Sequence, residues 1–277
     1  MVIPINQYQE TELEILKVFI SVCEKLGLRY YLACGSVLGA VKYQGFIPWD
    51  DDIDVCMPRE DYEIFLQRAK EHLPEHLFLQ NYKTDPQFPS VTSKIRNCNT
   101  AWIEEGVAHL DMNHGMYLDV FPLDGYPKDP KEQKNFEKKK MHFERIRAIS
   151  YNQRFNIKAI RTNMVLLANK LFGLYSSSAS NIEKYEKFIS SYPTSDSKLW
   201  CNHGNWQGVL EYADKSQYGN GIKATFEGIE VVIPENYDEY LTQKYGDWRS
   251  DPPIEKQKTH HSVKIADTER SYKEYLK

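Results

Sequence analysis

Between residues 50 and 54 the chain carries four aspartates, Asp50, Asp51, Asp52 and Asp54, interrupted only by Ile53. Most aspartate-rich runs are solvated turns, and Pro48 just upstream suits one. The alternation that follows asks for more. In an extended strand successive side chains point to opposite faces, so Asp52 and Asp54 share one face while Ile53 and Val55 occupy the other. The apolar pair anchors the strand and the acids converge. Two ionised carboxylates about 5 Å apart repel by about 3 kcal/mol at an effective dielectric near 20. A cation is therefore expected to join them. Oxygen ligands without a cluster of His or Cys select a hard divalent ion, Mg²⁺ or Mn²⁺, rather than zinc or copper. Such an ion commonly takes phosphate oxygens as its remaining ligands.

A third acid is expected from a neighbouring strand, and Asp119, set between Leu118 and Val120, repeats the apolar-Asp-apolar pattern. Asp50 and Asp51 lie in the approach to the strand, where a solvated turn or support of the ligands fits as well as ligation. Upstream, Gly35 and Ser36 stand at a strand-to-helix junction. Glycine permits close backbone approach, and the amides that open a helix can hold a phosphate. Lys94 and Arg96, two apart in "SKIR", would put two cations on one strand face toward a diphosphate, or would form ordinary surface salt bridges. Lys42 is a phosphate candidate on the same terms.

The elements that must position these groups can be read from periodicity. "TELEILKVFISVCEKLG" is an amphipathic helix with a capping box from Thr11 to Glu14 and a stop at Gly27. A strand "LRYYLAC", a short helix from Val37 to Tyr43, a strand "DIDVCM" and a helix "REDYEIFLQRAKEHL" follow. "MYLDVFPLDG", 116 to 125, reads as a buried strand that stops at Pro122 and Gly125. The alternation predicts an α+β fold with an α/β-type core and a mixed sheet. Residues 1–125 read as the catalytic core. Residues 126–277 read as a helical basic segment, broken at "SSSAS", plus a C-terminal extension: a hairpin "TFEGIEVVIP" turning near Glu227 and Gly228, then a helix "ENYDEYLTQKYG". The two parts are expected to pack as one unit.

Composition narrows the class. With 277 residues and 41% hydrophobic content the chain can fill a globular core. It has no apolar run of the roughly 18 residues that a spanning helix needs. The start "MVIPINQYQETELE" lacks a basic opening and apolar middle, which predicts a cytoplasmic protein. Five cysteines without Cys-x-x-Cys or Cys/His spacing suggest neither a disulfide framework nor structural zinc. A net charge of −4 argues against general nucleic-acid binding, yet residues 128–170 hold twelve Lys/Arg against four Asp/Glu. That segment is either a solvated helical surface or a docking face for an anionic membrane.

The segments "GSVLGAVKYQGFIPWDDDIDVCMPREDYEIF", "SKIRNCNTAWIEE", "MYLDVFPLDG", "FEGIEVVIPENYDEYLTQKYGDW" and, more loosely, "KTHH" resemble the LicD family of phosphotransferases. That family is part of the nucleotidyltransferase-fold superfamily that also includes the fukutin-related proteins. The resemblance runs from about residue 30 to 261 and implies a nucleotidyltransferase-like sheet flanked by helices, a divalent metal, and a donor activated by cytidine diphosphate. It implies transfer of phosphocholine, or a similar alditol phosphate, from a donor such as CDP-choline to a sugar hydroxyl of a cell-surface glycan, teichoic acid or lipopolysaccharide precursor, with release of CMP. The acceptor can be lipid-linked, which makes peripheral attachment to the inner membrane face attractive. Carried over by motif, Gly35 and Ser36 cradle donor phosphate, Asp52 and Asp54 bind metal, and Asp119 completes the set as ligand or general base. His260 and His261 sit in a tail where solvation is as good a reading as catalysis; the motif places His260 among the donor-binding residues. Trp49 and Trp102 suit cation–π contact with a quaternary ammonium, although core packing explains them better. Two other functions share these features: a nucleotidyltransferase that uses a triphosphate and releases pyrophosphate, and a non-catalytic nucleotide- or glycan-binding module.

Overall fold

The computed structural model describes residues 6–151, 164, 178–204, 212–259 and 261–276. It opens with helix α1 (Gln7–Leu26), which starts earlier than the Thr11 box predicts. Asn6 accepts the amides of Tyr8 and Gln9 while the Gln9 side chain returns to the Asn6 amide, a reciprocal cap that satisfies orphan donors one turn upstream. Thr11 instead donates back to the Gln7 carbonyl. Gly27, at φ 65°, ends the helix in the left-handed conformation that glycine tolerates.

The chain continues through β1 (Tyr31–Leu32), α2 (Cys34–Lys42), β2 (Asp54–Pro58), α3 (Arg59–Arg68), β3 (Leu77–Gln80), β4 (Ser93–Asn97), β5 (Ala101–Glu104) and β6 (Met116–Tyr126). Helices α4 (Pro130–Tyr151) and α5 (Ser178–Ile189) follow, the second starting within the serine-rich stretch. Then come β7 (Leu199–Asn202), β8 (Tyr212–Asp214), α6 (Lys215–Tyr218), the hairpin β9 (Ile222–Phe226) and β10 (Ile229–Ile233), α7 (Tyr237–Tyr245) and β11 (Val263–Asp267). The fold is mixed α/β.

The main sheet has the order β1-β2-β6-β4-β3, with β7 added to β6 and β8 to β7. Only β2 and β6 run parallel; the other pairs of this sheet are antiparallel. Strand β6 runs through Pro122 rather than stopping there. On one side it pairs with β4 over residues 116–120 and with β7 over 123–126. Pro122, which has no amide to donate, falls in the gap where one neighbour gives way to the next. Strands from both halves of the chain thus share one sheet, and β11 returns to pair with β5.

Ile53, Val55, Ile95, Leu118 and Val120 are fully buried in a core that also takes Leu16 and Phe19 of α1, Tyr62 and Phe65 of α3, and Leu241 of α7. A second cluster holds α4 and α5 against β6 and β7 through Tyr126, Phe136, Tyr185 and Ile189. On the opposite face of the central strands Asp54, Lys94, Arg96 and Asp119 are polar, and they form the site.

Candidate active site

The parallel register sets Asp54 of β2 opposite Asp119 of β6. Adjacent strands lie about 4.8 Å apart, so the two carboxylates stand side by side. Asp52 lies two residues before β2, which starts two residues later than the alternation predicts, and still joins them. Oxygens of Asp52, Asp54 and Asp119 lie within 4.8 Å of one another, as do those of Asp50, Asp51 and Asp52. Carboxylate oxygens at this spacing fit a hard divalent cation.

Gly35 and Ser36 open α2 beside this cluster. Ser36 Oγ accepts the Asp54 amide at 2.9 Å, and the Ala33 amide donates to the Asp54 carbonyl at 2.9 Å. The helix start is thereby stapled to the acid-bearing strand. A Cβ at Gly35 would fall 2.7 Å from Asp50 Oδ2, so only glycine lets that carboxylate lie against the backbone. The loop between α2 and the aspartates is gripped from outside by the β9–β10 turn. The Glu227 amide donates to the Gln44 carbonyl at 2.8 Å, and Glu227 Oε1 accepts the Phe46 amide at 3.1 Å. Gly45 has no room for a Cβ because Glu227 Oε1 occupies that space.

Across β6, Lys94 of β4 faces Asp119 in register and donates to its Oδ2 at 3.0 Å. Its ammonium also lies over the Tyr117 ring, 3.2 Å from the centroid. Arg96 shares that face and ring, 4.5 Å away, but is 1% exposed and donates to Gln80 Oε1 and the Gly115 carbonyl, both at 2.7 Å. Lys94 joins the acids and Arg96 supports the wall behind it. Lys42, at the far end of α2, pairs with Asp251 at 2.6 Å. His260 lies outside the described residues. Trp102 is buried edge-on to Tyr8, and half-buried Trp49 packs near Tyr43.

The structure brings His261, which the sequence leaves between solvation and catalysis, to the aspartates, and it adds Thr259, Glu104 and Glu12, which escape the sequence reading. Strand β11 pairs with β5, Val263 opposite Glu104, and this pairing delivers the preceding tail to the aspartates. His261 Nδ1 sits 2.9 Å from Asp51 Oδ1 and its Nε2 3.8 Å from Asp52 Oδ2, while the Thr259 hydroxyl donates to Asp51 Oδ2. Glu104 joins through charge: burial pushes its carboxyl up, but Lys94, Arg96 and His261 outweigh that and hold it below the usual carboxylate range. Glu12 of α1 is 2% exposed within range of the same aspartates. A signal for Glu12 exists: it lies four residues before Leu16, a charge on the apolar face of the helix. No local pattern announces Thr259 or Glu104.

Crowding sets the electrostatics. Burial, then the charge of Asp52 and a hydrogen bond shared with it, push Asp50 up to about 8. Burial also raises Asp52, against the pull of His261. Burial works the same way on Asp51, but hydrogen bonds from His261 and Thr259 outweigh it and hold Asp51 below the usual carboxylate range. Burial opposes the charged ring of His261, yet the Asp51 hydrogen bond and the Asp52 charge carry it to about 9. A protonated His261 therefore ties the tail to the aspartates at neutral pH.

Carboxylates on neighbouring strands, beside a helix that opens on Gly-Ser, define a nucleotidyltransferase-type phosphotransferase domain. The family profile described as LicD/FKTN/FKRP, nucleotidyltransferase domain, matches residues 27–159. The chain is 30% identical over 263 residues to the lipopolysaccharide cholinephosphotransferase LicD of Haemophilus influenzae, covering 93% of this chain and 96% of that protein. It is 42% identical over 48 residues to the human ribitol 5-phosphate transferase FKRP, covering 17% of this chain and 10% of that one. The chain belongs to the LicD family and is a phosphotransferase of that family.

Proposed function

We propose that the protein transfers phosphocholine, or a similar alditol phosphate, from a CDP-activated donor to a sugar hydroxyl of a cell-surface glycan, teichoic acid or lipopolysaccharide precursor, releasing CMP. The observation that carries this reading is the meeting of Asp52, Asp54 and Asp119 beside the start of α2, in a chain similar along most of its length to a cholinephosphotransferase. Asp52, Asp54 and Asp119 would hold Mg²⁺ or Mn²⁺. The ion would supply charge neutralisation for the donor diphosphate and for the departing CMP.

The chain's own groups have separate duties. Gly35 lets the donor approach the backbone of α2, and Ser36 fixes the distance from that helix to Asp54. Lys94 orients Asp119 and adds positive charge toward the diphosphate. The acceptor hydroxyl bonds to the phosphorus that carries the transferred group, the bond from that phosphorus to the bridging oxygen breaks, and CMP leaves with the bridging oxygen. Asp119 stands where it can ligate or take the hydroxyl proton. Lys42 and Arg96, held by Asp251 and by Gln80 with Gly115, have supporting roles in this reading. Half-buried Trp49, adjacent to Asp50, offers a face to a quaternary ammonium.

Residues 1–125 form the catalytic unit in this proposal, and residues 126–277 complete it. The working place is the cytoplasm, at the inner face of the membrane. Among the described residues no helix is long and apolar enough to cross a membrane. The outward face of α4 instead carries exposed Lys131, Lys134, Lys138 and Arg145 along about 21 Å of helix, a stripe that suits peripheral contact with anionic lipid.

The test supplies purified protein and Mg²⁺ with CDP-choline, CDP-ribitol, CDP-glycerol or CTP, each with and without a glycan acceptor. Acceptor-dependent release of CMP from one CDP compound is the expected result. Pyrophosphate from CTP would replace the proposal with nucleotidyl transfer, and absence of turnover with every donor would leave a binding module.

A further inference from the structure

Glu12 lies outside the residues matched by the family profile, and no duty assigned above uses it. The residue is 2% exposed, and its Oε2 has no hydrogen-bond partner among the described residues. An orphaned buried carboxyl oxygen costs about 1–3 kcal/mol, which a leucine at this place would avoid. Its surroundings point to a reason for keeping it. Burial, then the charges of Asp52, Asp51, Asp50 and Asp119, hold its carboxyl well above the usual range.

One turn earlier Gln9 donates Nε2–H to the Asp50 carbonyl at 2.9 Å, which shows this face of α1 docked on the acidic loop. Glu12, Glu104 and the five aspartates make seven carboxyl groups around three cations, Lys94, Arg96 and His261. The shortage of positive charge is what a divalent ion relieves. Glu12 is absent from the groups whose oxygens all lie within 4.8 Å, so it stands behind the ligands rather than among them.

We infer that Glu12 is a positioning residue of the divalent-cation site, whose buried carboxyl group supports Asp52 and the acidic loop from the α1 side. Groups behind a metal's ligands orient them, and their loss weakens metal binding about 10- to 100-fold. The inference rests on reading Asp52, Asp54 and Asp119 as cation ligands.

The experiment measures Mn²⁺ binding to the full chain without donor, from the electron paramagnetic resonance signal of free Mn²⁺, together with the metal-free melting midpoint. Glu12→Gln keeps the shape and replaces one carboxyl oxygen by an amide nitrogen. It is expected to weaken Mn²⁺ binding at least about 10-fold, with a metal-free midpoint at or above that of the wild type. Glu12→Asp keeps the carboxyl group but withdraws it by one methylene, and is expected to weaken binding less than Gln yet measurably.

Binding by Glu12→Gln within twofold of wild type overturns the inference, as does a lowered midpoint with Mn²⁺ binding intact. Should the Gln variant not fold, wild-type affinity in Glu12→Asp overturns it. Asp54→Asn separates the two layers. If Asp54→Asn binds Mn²⁺ as the wild type does, or if the wild type does not bind, the ligand reading falls and takes the inference with it. If Asp54→Asn loses binding and Glu12→Gln does not, only the inference falls.

Discussion

Replacing Asp54 by asparagine keeps the side-chain volume and removes one negative charge from a group whose oxygens lie within 4.8 Å of two others. Each ionised pair at that distance is worth about 3.5 kcal/mol of repulsion at an effective dielectric near 20. Two pairs set a ceiling of about 7 kcal/mol. The actual relief is smaller, because burial already favours a proton on Asp52 and Lys94 already offsets Asp119. Water also reaches the partly open side of the cluster, and about 1–3 kcal/mol remains. For a chain of this size that should raise the metal-free melting midpoint by about 2–6 °C. The same variant should lose the response to metal. At 100 times its dissociation constant, Mn²⁺ stabilises a one-site protein by about 2.7 kcal/mol. Wild type should show that gain and Asp54→Asn should not, while transferase activity falls by about 10³ or more. Calorimetry with and without Mn²⁺ reads both effects. A metal-free midpoint below that of wild type, or activity within tenfold of it, would refute the account of these carboxylates as mutually repelling ligands.

Three further outcomes are expected. Glu227→Ala leaves the Phe46 amide without its acceptor, costs about 1–3 kcal/mol and slows turnover by loosening the loop that leads to Asp50; Glu227→Gln retains an acceptor oxygen and should behave nearly as wild type, and equal damage in both would show that charge matters instead. Burial holds His203 well below the ordinary histidine range. Below about pH 6.5 the unfolded chain binds a proton there that the folded chain refuses, so stability falls as pH drops, by up to about 1.4 kcal/mol per pH unit. His203→Gln should flatten that slope in denaturant titrations at pH 5 and pH 7. Finally, the triple variant K131E/K134E/K138E should lose co-sedimentation with phosphatidylglycerol vesicles at low salt and leave turnover of a soluble acceptor unchanged; indifference of the wild type to anionic vesicles would remove the membrane contact.

Where local periodicity carries information, the chain announces itself. The apolar alternation around Asp52, Asp54 and Asp119 identifies the acid set because side chains in a strand point two ways, and the meeting of Asp54 with Asp119 needs only that their strands be neighbours. Gly-Ser before an amphipathic turn marks α2, and Glu227-Gly228 between apolar runs marks a hairpin, since both depend on a few adjacent torsions. Asn6 with Gln9 and Thr11 with Glu14 both read as capping boxes in the sequence; the helix uses Asn6 and places Thr11 inside, where its hydroxyl donates to the Gln7 carbonyl. Lys94 could be named but not assigned, since a cation two residues from another reads alike in a salt bridge and in a phosphate site. Only the β4–β6 register puts it on Asp119 and turns Arg96 to Gln80. His261, Thr259, Glu104 and Glu12 come from the tail, from a side sheet and from the first helix. Their approach to the aspartates is decided by the pairing of β11 with β5 and by the docking of α1 on the acidic loop. Residue order fixes which groups can share a face of one element. Contacts between elements far apart in the chain arise from burying the apolar faces together, and that choice is made by the whole fold.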